Sequence, residues 1–109
     1  MNYPTSEHEA RTIVDRVEAV LASHRCPARA ASWTLDAERK RIEIYVPAHL
    51  PDVAVPIGRA LGAPHCRIKS IRDKGEISGH AGIVVVGWGP PIVDGRDLLL
   101  WKDIQWPKP

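Results

Sequence analysis

His65-Cys66, with Asp73 and His80 downstream, are the residues whose types could do nucleophilic chemistry: a thiol, an imidazole base and a carboxylate to orient it. Their spacing works against that use. Neighbours on a strand point to opposite faces, so His65 cannot take the proton of Cys66. His80 reaches the thiol only if the intervening loop folds back. Adding His49 makes a set of metal donors, but one without the tight, repeated Cys/His spacing of a zinc site. Gly75-x-x-x-Gly79, Gly82 and Gly87-Trp88-Gly89 match neither a dinucleotide fingerprint nor a phosphate-binding loop, and no Lys-Ser/Thr follows them. These glycines suit tight turns and close backbone approach. The expectation is no catalytic constellation, no cofactor and no metal, with structural cysteines and surface histidines.

Two other groups of residues suit binding. Residues 25–74 hold ten Lys or Arg against five Asp or Glu, a net of +5, although the whole chain carries only +2. Arg39, Lys40 and Arg41 crown one predicted turn, and Arg67 and Lys69 line a predicted strand, with Arg72 and Lys74 at its exit. Such a basic ridge could follow a phosphate backbone, or meet an acidic protein. Cations on exposed edges also block aggregation. No exposed aromatic pair resembles the base-stacking platform of RNA-binding sheets. The second group is C-terminal: Trp88, Trp101 and Trp106 lie in the last fifth of the chain with Leu98, Leu99, Leu100 and Ile104. Apolar residues this dense dock back on the sheet or present an anchor to a partner.

The elements that must position these residues are legible in the patterning. Ala81–Gly89 is a run of Ile and Val between glycines, predicted to be a central strand buried on both faces. Ser6-Glu7-His8-Glu9 has the form of a capping box, with Glu9 reaching back. Ala10, Ile13, Val14, Val17, Val20 and Leu21 then form a helical stripe, Glu7 to Arg11 is spaced for an ion pair, and Pro27 ends the helix. Met1–Thr5 reads as a loose tail. Ala31, Trp33 and Leu35, then Ile42, Ile44 and Val46, alternate with polar residues around a turn through residues 36–40, giving a hairpin with one buried face. A second helix begins near Asp52 or Val53, where Pro56 falls in the first turn, and stops at Gly62. His65–Asp73 is a strand with Cys66, Ile68 and Ser70 on one face and Arg67 and Lys69 on the other. Ile71 falls out of that register, predicting a bulge or the strand's end. Ile92–Trp101 suits a small hairpin around Asp94-Gly95.

The fold class expected is α+β: one small domain over residues 1–109, with a mainly antiparallel four-stranded sheet, two helices on one face in the order α-β-β-α-β-β, and a Trp-rich extension over 90–109. No internal repeat is evident. Nothing approaches the length of an apolar membrane span or a secretion signal, so cytoplasmic location and two reduced cysteines, Cys26 and Cys66, are expected. The excess of Arg over Lys and a single Asn suggest GC-rich codons and a bacterial or phage source. With catalysis and cofactors set aside, the expected role is binding another macromolecule. A protein comes first, with this chain acting as inhibitor, immunity factor or accessory subunit through Arg39, Lys40, Arg41, Arg67, Lys69, Trp101 and Trp106. The alternative is a nucleic-acid-binding module using the basic sheet face. Homodimerisation through an edge strand or the tail is expected as well.

Overall fold

A computed structural model of the chain describes residues 1–72 and 80–90. Its elements are α1 (Glu7–Ser23), β1 (Ser32–Asp36), β2 (Arg41–Val46), α2 (Ala54–Leu61), β3 (His65–Arg72) and β4 (His80–Gly87). The four strands make one antiparallel sheet in the order β1-β2-β4-β3. The α+β expectation and the order α-β-β-α-β-β both hold. An αββ unit occurs twice, and the second strand of each unit meets the other at the sheet centre. The sequence carries no matching repeat, because such a topology requires only apolar alternation and not identical side chains.

α1 forms where its stripe and its cap agree. The Ser6 hydroxyl accepts the Glu9 amide at 3.1 Å. Glu9 does not complete a capping box: its carboxylate takes the amide and hydroxyl of Thr5 at 2.7 and 2.9 Å, and these hydrogen bonds hold its carboxyl below the usual range. Glu7 is not the helix-face partner of Arg11, which pairs with Asp15 at 3.2 Å. The helix closes in a Schellman arrangement. Arg25 takes a left-handed φ of 66°, its amide bonds Ala22 O at 3.1 Å and that of Cys26 bonds Leu21 O at 2.9 Å. Nor is Met1–Thr5 a loose tail. Pro4 is buried, Met1 O accepts the Trp88 indole N–H at 2.8 Å, and Tyr3 packs edge-on against Trp88 at 6.4 Å.

Both helices lie on one face of the sheet. Ala10, Ile13, Val14, Val17 and Leu21 of α1 and Ile57 and Leu61 of α2 share a core with Ile42, Ile44, Val46, Val84 and Val86. Burying each such aliphatic contributes about 1.5–3 kcal/mol. The loop before α2 also drops onto the sheet. Leu50 packs over Gly82, where a Cβ would overlap Leu50 Cγ and Cδ1 and lie 3.2 Å from Ala48 O. That close approach explains a glycine inside a central strand. β4 is buried on both faces as its sequence demands, with Ile83 and Val85 forming a second, smaller apolar cluster with Tyr45 on the helix-free face. β3 runs in unbroken register to Arg72, so Ile71 pairs with Ala81 and no bulge occurs there.

Candidate partner-binding surface

Strand register arranges the helix-free face in rows across the sheet. They are Asp36–Arg41–Gly87–His65, then Thr34–Glu43–Val85–Arg67, then Ser32–Tyr45–Ile83–Lys69. The basic residues singled out in the sequence fall into two separate groups. Arg67 and Lys69 share this face on β3, one edge of the sheet. Arg39 and Lys40 sit in the β1–β2 turn, at least two strand spacings, about 10 Å, across the sheet from β3. Arg41 shares a face with Arg67 and Lys69 but is buried, at 3% exposure, so it offers no charge to a ligand. Trp101 and Trp106 lie outside the described residues.

The turn has its own structure. Asp36 Oδ1 accepts the Arg39 amide at 3.0 Å, and its Oδ2 lies 3.7 Å from the Arg39 guanidinium. Lys40 takes a left-handed φ of 56°, which sends its ammonium over the Tyr3 ring at 5.6 Å. The Lys40 carbonyl accepts the Trp88 amide at 2.8 Å, locking the turn to the end of β4. Burial, and then the charge of Asp36, push the Tyr3 phenol up.

β1 departs from the expectation that each hairpin strand buries its apolar face. Leu35 is 43% exposed, and Trp33 is only half-buried, with the Arg11 guanidinium 5.4 Å over its ring. Beside β1 an open groove is lined by Tyr3, Pro4, Ala10, Trp33, Leu35 and Lys40. Among the described residues, β1 has no strand partner on its outer side. In an antiparallel pair, alternate residues bond to alternate sides. The Trp88 amide bonds Lys40 O, so Arg41, Glu43 and Tyr45 direct their backbone groups toward β1; the Ala31 amide bonding Tyr45 O at 2.8 Å agrees. Their partners Asp36, Thr34 and Ser32 therefore point inward, and the N–H and C=O groups of Trp33 and Leu35 point outward from the edge. A sequence signal for this was present. Ser32–Leu35 contains no cation or proline, whereas the opposite edge, β3, carries Arg67 and Lys69.

No family model, curated protein or solved structure matches this chain. What it does has to be read from its surfaces. His65 and Cys66 point to opposite faces, and burial pushes the Cys66 thiol up to about 12, the reverse of what a nucleophile needs. Cys66 pairs with Val86 and His80 with Arg72, placing the His80 backbone about 20 Å along the sheet from the Cys66 row. Cys26 and Cys66 are both free thiols. His49 lies in the loop before α2, and Asp73 is outside the described residues. Among the described residues no three His, Cys, Asp or Glu gather as a metal site, and no helix is long and apolar enough to cross a membrane.

Proposed function

We propose that this protein acts by binding another protein, as an inhibitor, immunity factor or accessory subunit, and that it does so along the β1 edge. The observation that carries this is Leu35, exposed on an edge strand that holds no cation or proline over Ser32–Leu35. An extended partner segment adding to β1 would take its main-chain hydrogen bonds from Trp33 and Leu35 and place alternate side chains in the groove. Lys40 and Glu7 both line that groove and Arg11 stacks on Trp33 beside it, so charges of both signs surround its apolar floor. Trp101 and Trp106 belong to this reading as additional anchors, by their type alone.

A second reading, nucleic-acid binding, is favoured by His65, Arg67 and Lys69 sharing one face of edge strand β3. Capture from a lysate of the source organism, with nuclease, separates the two. The baits are the intact protein, Leu35→Lys, Arg67→Glu with Lys69→Glu, and Trp101→Ala with Trp106→Ala. A stoichiometric protein that survives nuclease and is lost with Leu35→Lys supports the edge reading. Capture of nucleic acid alone, lost with the β3 pair and falling steeply with salt, refutes it in favour of the second.

A further inference from the structure

The outward groups of β1 also define a partner of specific shape: β1 itself. We propose that the protein forms a homodimer in which β1 pairs antiparallel with β1 of a second copy, about a twofold axis at Thr34. The inference rests on the reading of β1 as a protein-docking edge and names its occupant.

Self-complementarity carries the argument. An axis perpendicular to the sheet at Thr34 sets Trp33 opposite Leu35 of the second copy, Thr34 opposite Thr34, and Ser32 opposite Asp36. The outward N–H and C=O of Trp33 and Leu35 then form the hydrogen-bonded pairs, four bonds in all, while Thr34 falls at the closer, non-bonded position. This phase follows from the register already fixed by β2 and needs no shift of either strand. Side chains agree with it. Trp33 and Leu35 lie on the helix side in both copies, so each half-covered Trp33 meets the exposed Leu35 of the other beside the open groove. On the opposite side, Thr–Thr and Ser–Asp pairs are favourable or neutral, and no like charges face each other. Displacing the axis to Leu35 or Trp33 sets leucine on leucine or tryptophan on tryptophan and shortens the paired ladder.

The result would be one continuous eight-stranded sheet with all four helices on one face. A five-residue edge makes a small interface, so the dimer belongs with weak, reversible associations. A heterologous strand that docks on β1 must displace it, which makes the dimer a competitor for the same edge.

Two measurements test this on the full chain. Sedimentation equilibrium at ~0.5 mM protein, a concentration chosen for weak associations, should give an average mass moving toward twice the 12.1 kDa of the monomer. Leu35→Lys should return it to the monomer value without loss of secondary structure, because Leu35 is a surface residue. Thr34→Cys then reads the register. Across the twofold its Cα atoms stand about 4.5 Å apart, within disulfide range, so mild glutathione disulfide should link the dimer covalently, two thiols being oxidised as one glutathione disulfide is reduced to two glutathiones. Ser32→Cys, facing Asp36, should link far more slowly. A monomer at all concentrations, or equal linking by both variants, overturns the proposal. If the chain is monomeric and lysate capture still depends on Leu35, only the self-partner fails. If capture ignores Leu35 too, the edge reading fails with it.

Discussion

Replacing Gly82 by alanine tests how the loop before α2 is seated on the sheet. The new methyl would occupy space now filled by Leu50 Cγ and Cδ1, and Ala48 O, 3.2 Å away, limits retreat in the other direction. Overpacking of this kind costs about 1–3 kcal/mol. The lost freedom of the unfolded chain offsets about 0.4–1 kcal/mol, so Gly82→Ala should destabilise by about 1–2 kcal/mol, or roughly 5–10 °C in Tm for a domain of this size. Leu50 is itself buried, and Leu50→Ala alone should cost about 2–5 kcal/mol through its cavity. In the double variant the methyl introduced at position 82 enters the room that Leu50 vacates. The two costs should therefore fail to add, with a favourable coupling of about 1–2 kcal/mol. Urea unfolding followed by far-ultraviolet circular dichroism measures all four corners of the cycle, given an unchanged m-value. A neutral or stabilising Gly82→Ala, or strict additivity with Leu50→Ala, would falsify the packing described.

Arg25 holds the left-handed position of the α1 Schellman motif, where glycine carries no Cβ penalty. Arg25→Gly should raise stability by about 0.5–1 kcal/mol in thermal unfolding, and Arg25→Ala should not; equal effects of the two would show that backbone conformation is not the cause. Cys66 has the opposite kind of consequence, one of pH. Its folded thiol titrates at about 12 against an ordinary value of 9.0, so the folded state keeps a proton that the unfolded state releases. Its stabilising contribution is fully present below pH 9 and falls by about 1.4 kcal/mol per pH unit above it, until about pH 12. Chemical unfolding between pH 8 and about 10.5 should show this decline in the native protein and a shallower one in Cys66→Ala; parallel curves would count against the burial assigned to the thiol. The same burial should slow alkylation of Cys66 at pH 8 by about fiftyfold relative to a free cysteine, since fewer thiolates form and their higher nucleophilicity compensates only in part.

Much of the architecture was legible in residue order because local physics and burial agree there. The four aliphatics Ile83–Val86 contain no polar face, and they occupy a central strand covered on both sides. Ser6, Pro56 and Gly62 mark helix boundaries through groups each can or cannot supply: a capping oxygen, a missing amide and a left-handed φ. The alternation of Cys66 and Ile68 with Arg67 and Lys69 divides the faces of β3 as period-two patterning requires.

The candidate site was less legible, and the reason is geometric. Alternation in β1 says that Trp33 and Leu35 share a face, but not whether a helix is wide enough to cover it. That depends on where α1 crosses the sheet and on β1 falling at its edge. A run of three cations, Arg39-Lys40-Arg41, reads as one patch, yet the fold sends Lys40 over Tyr3, ties Arg39 to Asp36 and buries Arg41, because a positive φ and a strand start intervene within three residues. The chain's own order of residues determined the elements, their faces and the places where they stop. Strand order decided which strands form the edges among the described residues, and only strand order could, since an edge is defined by the neighbour a strand lacks.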